Sequence, residues 1–266
     1  MTRAMAAQGK SEEGLGKHLG FGACFTNRDA TGRFVLVCEH AAHSIPDHWG
    51  DLGLSPDARV AHVAWDPGAL DLAKALSQRL DACLVHAQVS RLVYDLNRAP
   101  FQDGAMPARS ELFDIPGNVG ITPEERALRT QAIYVPFHDD LHAEIARRMA
   151  LGLAPVLVTI HSFTPVYFGN IRAVEFGIIH DSDPRLAKAL LSHAPKGLNV
   201  QLNEPYSAED GVTHTLRLQA GPYGLPNVML EIRNDLIASP ESVADMADQI
   251  APSLAAALRT FEQEKH

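Results

Sequence analysis

The sequence lacks the features that define several common protein classes. Its 266 residues hold three cysteines, Cys24, Cys38 and Cys83, an odd number at wide spacing with no CxxC pair. That supports neither a disulfide framework nor a thiolate metal centre. Basic residues are in deficit, 23 Lys and Arg against 32 Asp and Glu, for a net charge of −9. A nucleic-acid footprint needs a basic face, so no nucleic-acid partner is expected. No apolar run approaches the roughly 18 residues of a membrane span, and no membrane partner is expected. The first residues, MTRAMAAQGKSEEGLGK, carry no apolar core of a secretory signal. No GxGxxG follows a strand, and there is no Walker loop, no HExxH and no GxSxG. Nucleotide cofactors and a serine nucleophile elbow are therefore disfavoured.

What is present is an alternation of short apolar runs with amphipathic stretches. RFVLVCE (33–39) reads as a strand buried on both faces. PVLVTIHSF (155–163), VEFGIIHD (174–181) and LPNVMLEIRND (225–235) read the same way, and ACLVHAQVS (82–90) with RLVYDLN (91–97) supplies one or two more strands. Helical periodicity covers residues 69–80, 122–152, 183–194 and 241–264, with bends expected at Pro136 and Pro252. Asp66-Pro67 has the form of a helix cap followed by Pro at the first helical position. This order predicts an α/β fold with a mainly parallel central sheet. Residues 21–266 are expected to form one domain, preceded by a flexible arm at residues 1–20. Cys38 and Cys83 sit in apolar runs as small core residues, which fits a reducing, cytoplasmic compartment.

In such sheets ligands bind beyond the carboxyl ends of the strands. The residues ending the apolar runs are Glu39-His40, Asp95-Asn97-Arg98, His161-Ser162, His180-Asp181 and Glu231-Arg233. Titratable groups at five strand ends predict one converging site. His40 and His161 suit a metal, since imidazole is its commonest ligand and a catalytic zinc takes about three protein ligands. His43 and Asp66 are the two candidates for a third. Glu231 ends a buried strand, where a carboxylate is costly unless it is paired, here with Arg233, or acts as a general base. Arg98 can grip a carboxylate with paired hydrogen bonds while Asn97 adds a contact, and Arg91 with Asp95 can lock the loop as an ion pair.

The stretches CEHAAHSIP (38–46), AWDPGALDLA (64–73), SRLVYDLNRAP (90–100), VPFHDDLH (135–142), TIHSFTP (159–165), NEPYS (203–207) and LEIRNDLI (230–237) resemble the N-formylglutamate amidohydrolase family. That resemblance implies a three-layer α/β sandwich like that of zinc exopeptidases and aspartoacylase. It also implies one zinc ion, ligated by His40 and His161, with Asp66 preferred over His43 as the third ligand. Glu231 becomes the general base, and Arg91, Asn97, Arg98 and Arg233 the groups that hold substrate carboxylates. Glu39 is then a residue of this branch lying behind the ligands. The implied substrate is a small anionic N-acyl amino acid such as N-formylglutamate. Rival expectations are a zinc exopeptidase or another N-acyl amino-acid hydrolase, separated by pocket size, and a non-catalytic ligand- or metal-binding protein on the same fold.

Overall fold

A computed structural model of the protein describes residues 20–264. The expected N-terminal arm falls, save for residue 20, outside the described residues. In chain order the elements are β1 (Cys24–Thr26), β2 (Phe34–Cys38), α1 (Pro56–Val60), α2 (Ala69–Arg79), β3 (Cys83–His86), β4 (Arg109–Ser110), β5 (Phe113–Asp114) and α3 (Pro123–Arg129). They continue with α4 (Val135–Ala150), β6 (Val156–Phe163), β7 (Val166–Tyr167), β8 (Asn170–Ile171), β9 (Phe176–Ile179), α5 (Arg185–Ser192), β10 (Val200–Leu202), β11 (Asn227–Arg233) and α6 (Pro240–Gln263). Seven strands build the central sheet in the order β1-β3-β2-β6-β11-β9-β10, while β4-β5 and β7-β8 are small hairpins. β3, β2, β6 and β11 run parallel, as do β9 and β10. β1 and β9 each lie antiparallel to their inner neighbours.

The sheet is covered on both faces, which explains why its inner strands read as unbroken apolar runs. Successive side chains of a strand point to opposite faces. Leu36, Val158 and Leu230 therefore join a core with α2, α5 and α6. Val35, Val37, Leu157 and Met229 join a second core with Phe137, Leu141 and Ile145 of α4. By the same alternation His161, two residues short of the end of β6, and Glu231 of β11 face the α4 side. No helix of the described residues is long and apolar enough to cross a membrane.

The bend expected at Pro136 takes a specific form. Thr122 caps α3 by accepting from the Glu125 N–H. Residues Thr130–Tyr134 then widen into a π turn before α4. A proline at position 136 cannot donate to the carbonyl of Ala132. That carbonyl instead accepts the N–H of Phe21 at 2.8 Å, which ties the start of the described chain to the helix pair. Pro252, by contrast, lies inside an uninterrupted α6.

Three expectations need correction. Residues 91–97 do not form a strand but a buried series of turns. Their polar side chains compete with a ladder: Ser90 Oγ accepts from the Leu92 N–H, and Asp95 Oδ1 accepts from the Asn97 N–H. Asp66 does not cap α2, because Gly68 holds the cap position with φ of 79°. Only glycine suits that site, since a Cβ there would meet the Ile237 carbonyl oxygen at 2.5 Å. Finally, β9 runs antiparallel to β11, with Ile179 opposite Met229 and Phe176 opposite Ile232. His180-Asp181 thus leaves the sheet at the edge away from Glu231 and does not join the other strand ends.

Candidate active site

Three adjacent parallel strands, β2, β6 and β11, open their carboxyl ends onto one cleft. His40 stands two residues beyond β2, and its carbonyl accepts the Asp66 N–H at 3.0 Å, which pins the Asp66 turn beside it. Since Gly68 relieves Asp66 of capping, its carboxylate is free to enter the cleft. His161 arrives on β6, and Glu231 lies directly beside it in register on β11. All four side chains are buried.

Three atoms converge there. Asp66 Oδ2 lies 3.2 Å from His40 Nδ1 and 3.0 Å from His161 Nδ1, and the two ring nitrogens are 3.2 Å apart. His43, the other candidate third ligand, is exposed and packs edge-on against Trp65 instead. The far nitrogen of each imidazole meets a carboxylate. His40 Nε2 lies 2.8 Å from Asp95 Oδ1, and His161 Nε2 lies 3.2 Å from Glu39 Oε2, the latter off the ideal hydrogen-bond line. These contacts favour hydrogens on both Nε2 atoms and lone pairs on both Nδ1 atoms. Three buried acceptors then face one another, an arrangement that a cation or extra protons must neutralise. A tetrahedral ion about 2 Å from each ligand spaces neighbouring ligand atoms roughly 3.3 Å apart, close to what is seen. Two imidazoles and a carboxylate thus fit a divalent metal, and these three residues form a group able to hold one.

The electrostatics agree with that geometry. Burial and the Arg91 charge oppose protonation of His40, but Asp95 and Asp66 outweigh them and raise its pKa. Burial likewise opposes charge on His161, while Glu39 and Asp66 push it well above the usual imidazole value. Burial disfavours ionised Asp66 and Asp95. The histidines hold Asp66 below the ordinary range, and Arg91 with His40 holds Asp95 well below it. Glu231 behaves differently: burial pushes it up to about 7 against the opposing pull of His161. A carboxyl near neutrality can exchange a proton in either direction.

The cleft is a cavity of about 310 Å³, and Arg91, Asn97 and Arg98 line it. Arg91 donates to Asp95 Oδ2 at 2.6 Å and lies 3.4 Å from Asp66 Oδ1. Asn97 has both amide atoms engaged, donating to the Val212 carbonyl and accepting from the Thr215 N–H. Arg98 donates to the carbonyls of Asn97 and Gly211 and has no carboxylate partner among the described residues. Arg233 is not brought to the cavity. It pairs with Asp235 and Glu175 outside it, so it neither neutralises Glu231 nor is placed to reach a ligand. Sequence reasoning missed that Asp95 backs His40, because it read that acid only as the partner of Arg91. It also missed Tyr206, although the NEPYS stretch (203–207) contains it, and the β4-β5 hairpin, which lends Arg109 and Glu111 to the cavity mouth.

Fold and site together define an α/β protein whose parallel strands present a buried His–Asp–His centre beside a near-neutral glutamate and an unneutralised arginine. A sequence model of the N-formylglutamate amidohydrolase family matches residues 32–238. The chain belongs to that family of hydrolases. The crystal structure of the gene product Atu2144 from Agrobacterium tumefaciens is 52% identical, with a TM-score of 0.90 over 92% of this chain and 98% of that one. N-formylglutamate amidohydrolase from Ralstonia eutropha JMP134 is 17% identical, with a TM-score of 0.56 over 87% of this chain and 93% of that one, and shares the fold. No curated protein matches the sequence.

Proposed function

We propose that the protein is a zinc-dependent amidohydrolase that cleaves a small anionic N-acyl amino acid, N-formylglutamate being the first substrate to try. The observation that carries this reading is the in-register placement of Glu231 beside His161, at the rim of three converging ligand atoms. His40, Asp66 and His161 hold the metal, and Asp95 and Glu39 orient the two rings from behind. A bound divalent cation polarises the amide carbonyl and lowers the pKa of water at the site. Glu231, with its pKa raised to about 7, takes a proton from the attacking water and returns it to the leaving amine. Arg98 supplies the cation for a substrate carboxylate, Arg91 adds to the positive field, and Asn97 fixes the 212–215 segment that forms one wall. Arg233 has no part in this. The cavity lies at the small end of ligand sites, which suits an N-acyl amino acid better than a peptide.

Metal analysis of the purified protein, with hydrolysis assays across N-acyl amino acids, tests the reading. About one zinc per chain and turnover of an acidic N-acyl amino acid are expected. No turnover after zinc is added back overturns it.

A further inference from the structure

The 203–206 segment is pressed against the strand that faces Glu231. Gly177 of β9 lies opposite Glu231 of β11. A Cβ at Gly177 would lie 2.1 Å from the Glu204 carbonyl oxygen and 3.2 Å from the Glu231 Cβ. The missing side chain therefore lets this backbone settle beside Glu231 and carries Tyr206 into the cavity wall. Arg172 holds that tyrosine from outside. Its guanidinium stacks 4.3 Å from the Tyr167 ring and 5.0 Å from the Tyr206 ring. It also donates to the Tyr206 hydroxyl at 2.9 Å. Arg172 has no carboxylate partner among the described residues, so no anion competes with the phenol for its guanidinium. Arg233 donates to the Arg172 carbonyl at 3.3 Å, which gives that outlying arginine a place in the support.

A hydroxyl that accepts from a guanidinium keeps its own hydrogen free. Among the described residues the Tyr206 O–H donates to no acceptor. We infer that Tyr206 is a further catalytic residue, donating a hydrogen bond to the substrate's carbonyl oxygen as charge develops on it, and that Arg172 is its positioning residue. Tyr206 keeps its proton throughout, and burial beside Glu231 pushes its pKa up to about 12, so it remains a donor across the working range. Such a donor acts on the transition state more than on the bound substrate.

This inference rests on the amidohydrolase reading, and its test separates the two. The metal-loaded full chain is assayed with N-formylglutamate, and binding is measured for glutamate and for a phosphinate analogue of an N-acyl glutamate, whose tetrahedral centre mimics the reacting carbon. Tyr206→Phe is expected to lower kcat about 100-fold with KM within about threefold. Affinity for the phosphinate should fall by a similar factor while that for glutamate holds. The acid limb of the pH profile should stay in place, because Glu231 is untouched. Arg172→Met is expected to lower kcat about tenfold in the wild type and to add nothing in the Tyr206→Phe background. An equal cost in both backgrounds would mean a merely structural arginine and would overturn its assigned role. The role of Tyr206 falls if its variant leaves kcat and phosphinate affinity unchanged, raises KM alone, or moves the acid limb. Should Tyr206→Phe not fold, Arg172→Met decides by whether kcat and phosphinate affinity fall together. A wild type that binds phosphinate but cleaves no amide sinks the amidohydrolase reading and the catalytic role of Tyr206 with it, whereas an active wild type beside an unimpaired Tyr206→Phe sinks the tyrosine's role alone. A wild type that does neither sinks both.

Discussion

Two groups of histidines lie on the α4 side of the sheet, all buried except the half-buried His214, and they are built on opposite principles. In one, His40 and His161 turn their Nδ1 atoms toward Asp66 and their Nε2 atoms toward Asp95 and Glu39. In the other, His138 lies 2.9 Å from the Leu96 carbonyl through Nε2 and accepts from Gln219 through Nδ1, while His214 Nε2 meets the Tyr134 hydroxyl at 2.8 Å. Burial opposes charge in both groups. Carboxylates reverse it in the first, where both imidazoles are raised. Nothing comparable does so in the second, where burial pushes His138 down to about 4 and lowers His214. The lesson is that a buried histidine is declared by what stands behind its ring. A carboxylate behind the ring makes an open front nitrogen a strong ligand, whereas the Leu96 carbonyl and the Gln219 amide together occupy both nitrogens of His138 and leave none to bind.

The sharpest way to break this comparison is to delete one ring from each group. His161→Ala should abolish both zinc retention and hydrolysis. His138→Gln should leave zinc content near one per chain and kcat within about threefold, as befits a packing residue. Metal analysis and steady-state kinetics on the two variants read this directly, and equal zinc loss in both would erase the distinction. Next in size is Glu231→Gln, which keeps the ligands but removes the proton acceptor. It should bind zinc as the wild type does while kcat falls about 10³-fold. Loss of the metal along with the activity would make Glu231 a ligand instead.

How much of this contrast the sequence reveals depends on the distance over which it is encoded. β2, β6 and β11 announce themselves as apolar runs, and the polar residues that end them are the ones the cleft collects. Asp66 is ambiguous locally, because Asp before Pro is a good cap. Only Gly68 at positive φ, pressed against Ile237, shows that the cap is not needed. The direction of β9 leaves no mark in its own residues, so His180-Asp181 looks like a fifth strand end although it leaves at the opposite edge. Residues 91–97 look like a strand since Leu92, Val93 and Leu96 are apolar. Side-chain bonds to nearby backbone make turns instead, and those turns carry Arg91, Asp95 and Asn97 to the cleft. The pairing of His40 with Asp95 spans 55 residues of sequence, beyond the reach of any local pattern.

That long-range pair is the third point of attack. Asp95→Asn keeps an acceptor for His40 Nε2 but removes the charge that raises its basicity, and it sets an amide against Arg91. Zinc affinity is expected to fall 10- to 100-fold, with activity restored by excess zinc. Competition with a chelator of known affinity measures it, and unchanged affinity would show that the carboxylate behind the ring contributes only orientation.

The smallest effect belongs to the second group and has a definite sign. His138 is neutral in the fold, with its pKa pushed from 6.5 down to about 4 by burial. Between those two values the unfolded chain binds a proton that the folded chain refuses, so stability falls as pH drops through this window. Above 6.5 both states are neutral and the residue makes no difference. At pH 5.5 the cost is about 1 kcal/mol. Urea unfolding of zinc-loaded wild type and His138→Gln at pH 7.5 and 5.5 isolates the term. The variant should lose about 1 kcal/mol less than the wild type on acidification, whatever its stability at pH 7.5. An identical loss in both proteins would mean that His138 is protonated in the fold, and that the two groups of histidines are more alike than their neighbours imply.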